Sequence, residues 1–364
     1  MKLQSTPKQD GYFMPSELAP HKCTYILWPE RPDNWRMGAK PAQKAFREVI
    51  EKIAKHEPVV VGTNQSQYLH LLGMNMPNVS IVEMSNNDSW IRDSGATMVI
   101  NGQGGIRAVD WGFNAYGGTV DGIYFPWDFD DYVAAKMADI EHVDRYVPEN
   151  FILEGGAIHT DGEGTLIVTE ETLLSEDRNP DLKREEIERT LCEYTGCEKV
   201  LWLPYGVYRD EDTEGHVDNV CQFVAPGKVV LAWEDNPEDP QHERSVKDLE
   251  YLQSVTDAKG RQLEVIKIHV PNPIYITEEE AAWIDSVDGT FPRVPGDRLP
   301  ASYINYYNCN GAIILPIFND PHDEEAIRTL QGLFPDRVIE TVYAREILLG
   351  GGDIHCITQQ VPKA

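Results

Sequence analysis

The chain has 364 residues, of which 41% are hydrophobic and 25% charged, so a sizeable core is expected and extensive disorder is not. Its 60 acidic and 32 basic residues give a formal net charge of -28, which excludes ready binding to nucleic acid or anionic membrane, since both need clustered Lys and Arg. Such a surface concentrates cationic ligands, although on charge alone simple solubility explains the acidity as well.

In chain order, a recurring unit is expected: a short apolar strand, a Pro- or Asp-rich turn, an amphipathic helix and a second apolar strand. The first runs through a strand over Thr24–Trp28, a helix over Pro41–His56 and a strand over Pro58–Gly62. A weaker unit fits Ala96–Ile100 and a helix over Phe129–Ile140. The next combines Gly164–Thr169, a helix over Asp181–Tyr194 and Lys199–Leu203. Lys228–Trp233, a helix over Glu243–Thr256 and Leu263–Ile268 form another, and Ala312–Pro316, a helix over Asp323–Phe334 and Val338–Thr341 the last. Helix starts rich in Asp, Asn and Pro agree with capping chemistry. Units at this spacing suggest a radial repeat whose loops meet at one centre; chance likeness among βαβ-like segments is the competing explanation. No linker interrupts the chain, so residues 1–364 are expected to form a single domain.

The six cysteines are Cys23, Cys192, Cys197, Cys221, Cys309 and Cys356. No C-x-x-C pair occurs and they are too sparse for a disulfide framework, which fits a reducing compartment. Met1–Lys22 lacks the apolar run of a secretory leader. The longest apolar stretch, Ala312–Phe318, is far too short to cross a bilayer. A cytoplasmic protein without a membrane segment is the expectation.

Three separated segments mix reactive side chains with glycines and aromatics. Asn87–Gly95 supplies Asp88 and Asp93 beside Trp90, with Trp111 downstream. Carboxylates next to indoles make a box for a planar cation, with hydrogen bonds in its plane and cation–π contact across it; core tryptophans beside loop-capping aspartates are the plainer alternative. In Glu214–Asn219, an extended backbone would project Glu214, His216 and Asp218 from one face. Imidazole beside carboxylate suits acid–base work. A metal is not expected, because conventional spacing offers no third and fourth ligand to this His-x-Asp pair. Gly350–Cys356 places three glycines before Cys356, a residue nucleophilic as its thiolate. The other five cysteines are read as small buried hydrophobes.

Together these residues resemble the agmatine deiminases, within the wider superfamily of guanidine-modifying enzymes that includes peptidylarginine deiminases and amidinotransferases. The resemblance spans nearly the whole chain. It rests on Trp90–Asp93, Leu153–His159, Gly215–Asn219 and Ile354–Gln360, in this order and at these separations. It implies an α/β fold, a five-unit α/β propeller with pseudo-fivefold symmetry, and hydrolysis of agmatine to N-carbamoylputrescine and ammonia without metal or organic cofactor. By position, it implies Cys356 as nucleophile and His216 as acid and base. Asp93 and Asp218 become the carboxylates that clamp the guanidinium, with Glu154 close by. Trp90 and Trp111 become aromatic walls, and a homodimer is implied.

Asp353 stands where Asn is more usual in the family, and an extra carboxylate near Cys356 would disfavour its thiolate. Because the groups around Cys356 are mostly acidic, its ionisation is expected to be assisted by the arriving cation. Glu214 is a candidate for the distal amine of the substrate. An α-carboxylate would need a basic clamp, and the three segments contain only Arg92. Competing assignments are deimination of arginine or peptidyl arginine, amidino transfer, a cysteine-protease-like hydrolase, and a guanidinium- or polyamine-binding protein without catalysis.

Overall fold

Helix Lys40–Ile53 turns sequence pattern directly into packing. Its Ala42, Ala45, Phe46, Val49, Ile50 and Ile53 recur at three- and four-residue spacing and are all buried. Pro41 occupies the first turn, where its missing N–H costs nothing. Helix Pro240–Ser254 begins on Asp239, whose side chain accepts from the Gln241 N–H. Helix Arg184–Thr195 ends on Gly196 in the left-handed region. Asp323, Glu324 and Glu325 fill the first turn of helix Asp323–Leu333, where carboxylates complement the helix dipole.

The computed structural model describes residues 1–364, a mixed α/β fold. Five sheets share one wiring, in which an antiparallel pair of strands is followed by a parallel partner reached through helix. The second sheet joins Thr97–Ile100, Ile106–Val109 and Arg145–Tyr146. The third joins His159–Thr160, Thr165–Thr169 and Lys199–Leu203. The fourth joins Cys221–Ala225, Lys228–Trp233 and Glu264–His269, and the fifth Tyr307–Cys309, Ala312–Ile317 and Val338–Tyr343. The first sheet is assembled from both ends of the chain. Its leading strand is the C-terminal Gln359–Pro362, antiparallel to His21–Leu27, with Val59–Thr63 and Val79–Glu83 following in parallel.

The expected strands and helices all form, mostly with ends shifted by one to three residues. The expected helix over Phe129–Ile140 is two shorter ones, Asp128–Asp131 and Val133–Glu141. The sequence reading missed the first strand of four of the five units, all but Thr97–Ile100, together with strands Ile106–Val109, Arg145–Tyr146 and Val79–Glu83 and helix Gln65–Gly73. Those first strands are short, His159–Thr160 having two residues, and several are buried throughout. They carry no alternation of polarity to read.

They matter because each is entered from the segment that bears a candidate site residue. Asp93 lies four residues before Thr97, Gly156 three before His159, Asp218 three before Cys221, Asn305 two before Tyr307 and Cys356 three before Gln359.

Candidate active site

Closure of the first sheet delivers the sulfur. With Gln359 paired to Tyr25 and Val361 to Cys23, the preceding Ile354 and Ile357 are fully buried and Cys356 is fixed between them. The Asn305 amide completes the setting. Its Oδ1 accepts from the backbone N–H of His355 at 2.9 Å, and its Nδ2 donates to Cys356 Sγ at 3.2 Å. Asp218 Oδ2 stands 3.6 Å from the same sulfur.

Opposite lie His216, Asp93 and Glu154. His216 Nδ1 is 3.7 Å from Asp93 Oδ1, and His216 Nε2 is 3.8 Å from Glu154 Oε2. Asp93 is held by the Tyr116 hydroxyl at 2.7 Å and the Gly156 N–H at 2.9 Å. Gly156 is needed for close approach: a Cβ there would sit 2.6 Å from His216 Nδ1, 2.8 Å from Asp93 Oδ1 and 2.9 Å from Asp218 Oδ2. Gly352 plays the same part on the other side, where a Cβ would sit 2.7 Å from the Trp90 ring and 3.1 Å from Cys356 Sγ. Both nitrogens of His216, Asp218 Oδ1 and Glu154 Oε2 are buried without a hydrogen-bond partner. Buried polar groups are normally satisfied, so such a cluster is suited to a polar ligand.

The electrostatics separate these groups. Burial pushes the Cys356 thiol well above its ordinary value, and the carboxylates of Asp218 and Asp93 push it further. Burial also raises Asp93 to about 6, with Asp218 adding to the shift and His216 opposing it. For His216, burial opposes the charge, but Asp93, Glu154 and Asp218 outweigh it and raise the imidazole to about 9. Burial likewise works against the Glu154 carboxylate, yet Arg178 and His216 hold it at about 2. The site at neutral pH is therefore a thiol and an imidazolium among carboxylates.

A second layer lies behind the sulfur. His355 Nδ1 bonds Asp218 Oδ2 at 2.9 Å, and its Nε2 lies 3.0 Å from both Glu17 oxygens. Arg92 donates to Glu17 at 3.2 Å. Burial opposes the charge on Asp218, but hydrogen bonding and charge from His355 more than offset this and keep its pKa below the ordinary value. The sequence reading missed Glu17, His355 and Asn305. His355 was legible in principle, as a second imidazole beside the cysteine. Asn305 had no signal in the sequence, because the short strand Tyr307–Cys309 that it precedes was itself not legible.

A narrow cavity opens onto Cys356 and Asp93, walled by Trp90, Tyr116, Ile123 and Thr213. Several expected residues lie elsewhere. Trp111 is not a wall: its Nε1 donates to Thr97 Oγ1 at 2.9 Å and its ring packs on Phe151 and Tyr194. Asp88 does not face the cavity, because it accepts from the indole N–H groups of Trp35 at 2.7 Å and Trp90 at 3.0 Å, holding those stacked rings from the side. Glu214 pairs with Arg178 at 3.0 Å and lines a larger, open acidic depression that does not include Cys356. His216 and Asp218 do not share a strand face, since Val217–Asn219 is a turn of 3₁₀ helix. Asp353 is buried with neither carboxylate oxygen bonded, and burial drives its pKa well above normal. Arg92 is buried beneath the site, bonded to Glu17 and the His355 carbonyl.

The family model for Porphyromonas-type peptidyl-arginine deiminases matches residues 13–362. An agmatine deiminase of Ectopseudomonas mendocina is 53% identical over 361 residues, covering 99% of this chain and 98% of that protein. One from Pseudomonas fluorescens is 51% identical with the same coverage. The solved agmatine deiminase of Enterococcus faecalis superposes with a TM-score of 0.96 at 48% identity, covering 99% of this chain and 98% of the other.

Proposed function

This chain belongs to the Porphyromonas-type peptidyl-arginine deiminase family, and on that premise we propose that it is a hydrolase of carbon–nitrogen bonds in linear amidines, converting agmatine and water to N-carbamoylputrescine and ammonia. The observation that carries the reading is the convergence of Cys356 Sγ, His216, Asp93 and Asp218 on one buried point beside Gly156. Full-length similarity to agmatine deiminases supports the choice of substrate.

The guanidinium carbon is a poor electrophile because its charge is spread over three nitrogens. In this reading, Asp93 and the open Oδ1 of Asp218 hold the cation in plane and leave the carbon's face toward Cys356. The bound cation offsets the carboxylate field, and the thiol ionises, its proton passing to solvent. The thiolate forms the S–C bond. The C–N bond then breaks, with the His216 imidazolium giving its proton to the leaving ammonia. Neutral His216 takes a proton from water as the water oxygen bonds to the thiouronium carbon. Cleavage of the S–C bond, with loss of the adduct's hydroxyl proton to solvent, releases the ureido product and returns the thiolate. Asn305, donating to the sulfur, supports each thiolate stage.

The same reading takes residues 1–364 as one domain and the five similarly wired sheets as the units of an α/β propeller with pseudo-fivefold symmetry about the cavity. It takes the protein as a homodimer of the cytoplasm, which light scattering and cell fractionation test.

The functional test is ammonia release. Agmatine is turned over and free arginine is not, while Cys356→Ala binds agmatine and releases no ammonia. Preferential turnover of arginine, or an active Cys356→Ala variant, overturns the assignment.

A further inference from the structure

Away from the residues that line the Cys356 cavity, two imidazoles and a carboxylate meet at the junction of the fourth and fifth sheets. His269 ends strand Glu264–His269. His322 and Glu325 sit at the start of helix Asp323–Leu333. One donor atom from each of His269, His322 and Glu325 lies within 4.8 Å of the others. The side chains are 26%, 34% and 44% exposed, so an ion reaches them from solvent.

The outer hydrogen bonds orient both rings. His269 Nε2 lies 2.9 Å from Asp235 Oδ2, and His322 Nδ1 lies 2.9 Å from Asp320 Oδ1. Asp320 is itself fixed by the backbone and side-chain N–H groups of Asn272, at 3.1 and 2.9 Å. An imidazole whose other nitrogen donates to a carboxylate is the usual support of a metal ligand, because that bond sets the tautomer and raises ligand basicity. Here it leaves the Nδ1 lone pair of His269 facing Glu325 Oε1 at 3.0 Å. Two lone pairs at that distance repel unless a proton or a cation lies between them. The His322 ring stands 5.4 Å from the His269 ring.

We propose that His269, His322 and Glu325 form a binding site for a zinc-class transition-metal dication, with water completing a tetrahedron and Asp235 and Asp320 as the orienting carboxylates. Two imidazoles and one carboxylate suit zinc and its neighbours better than magnesium or calcium, which prefer all-oxygen shells. The ion would clamp strand Glu264–His269 to helix Asp323–Leu333 and so tie two consecutive units together.

The test is titration of the chelator-treated full chain at pH 8, where protons compete weakly, first with cobalt(II) and then with zinc(II). Expected are one cobalt per chain with the visible d–d bands of a tetrahedral ion and no intense thiolate charge-transfer band, and displacement by zinc. Zinc is also expected to raise Tm by several degrees. His269→Ala and His322→Ala should each abolish all three signals while leaving agmatine turnover and the metal-free Tm close to wild type. Absence of cobalt uptake at micromolar metal overturns the proposal and leaves an imidazolium held between carboxylates. Uptake that persists in both variants, or that shows thiolate ligation, overturns it equally. The Cys192 and Cys197 sulfurs, 3.4 Å apart, are the soft site that the last outcome would reveal.

Discussion

Asn305 Nδ2 donates to Cys356 Sγ at 3.2 Å, while Oδ1 of the same amide accepts from the N–H of the adjacent His355 at 2.9 Å. One side chain therefore fixes both the backbone that carries the sulfur and the sulfur itself. Among the side chains closest to the sulfur it is the neutral donor, opposed by the carboxylate of Asp218. Asn305→Ala is expected to lower kcat by about 100-fold, the usual loss on removing one aimed donor, with KM nearly unchanged. Steady-state kinetics on agmatine check this, and a loss confined to KM would count against a role in thiolate stabilisation.

The pair Glu17 and Arg92 is buried, each side chain being 2% exposed. Glu17→Ala leaves the Arg92 charge uncompensated and His355 without its anchor. The expected cost is about 3–5 kcal/mol of stability, read from urea unfolding. In Glu17→Gln the bond to His355 is partly kept, and the effect should move to the pH profile of kcat/KM, because His355 then holds Asp218 less firmly.

Trp90 and Trp111 should separate cleanly. Trp90 walls the cavity, so Trp90→Ala raises KM for agmatine. Trp111 sits in a different core cluster with Phe151, so Trp111→Phe leaves KM within about twofold and instead lowers Tm, through lost burial and the lost bond to Thr97. Parallel kinetics and thermal melts of the two variants decide between these roles.

Gly156→Ala places a methyl group between His216 and the two aspartates. Turnover is expected to fall by at least about 100-fold, since a 1 Å displacement of reacting groups has an effect of that order. A near-wild-type circular dichroism spectrum should accompany the loss. An active variant would mean that His216 and Asp93 do not meet at this point during catalysis.

The pH dependence follows from two groups. Asp93, raised to about 6, loses its charge and its grip on the cation as pH falls through 6. His216, raised to about 9, loses the proton needed by ammonia as pH rises through 9. The free-enzyme profile of kcat/KM should therefore be bell-shaped between these limbs. In stability the folded imidazole keeps its proton to about 9, whereas the unfolded one releases it near 6.5. The contribution of His216 is thus fully present below 6.5 and fades between 6.5 and 9. The difference in unfolding free energy between wild type and His216→Asn should shrink across that window.

Thiol reactivity gives a further check. With Cys356 pushed well above its ordinary value by burial and by Asp218 and Asp93, alkylation at neutral pH should be slow and should speed up when a small unreactive guanidinium is bound. Fast labelling of the free protein, unchanged by the ligand, would remove the case for substrate-assisted ionisation.

What the sequence by itself determined is local. The helix over Lys40–Ile53 was readable because side chains three and four residues apart must share a face. The strands Lys199–Leu203 and Lys228–Trp233 were readable because they are continuous apolar runs bounded by turns. The segments around Asp93, His216 and Cys356 stood out because glycines beside reactive groups have few other uses. What only the tertiary structure decided is which of these side chains face one another. Trp90 and Trp111 are alike as residues, yet one lines the cavity and the other fills a separate core. Glu154 enters the cluster at His216, whereas Glu214, which sequence placed on a level with it, is turned to Arg178 and an outer depression. Asn305 could not be separated from other asparagines until the fifth sheet brought it to the sulfur. Direction is set by backbone torsions and by partners hundreds of residues away, as in the pairing of Gln359 with Tyr25, and such pairings leave no trace in the order of residues around either end.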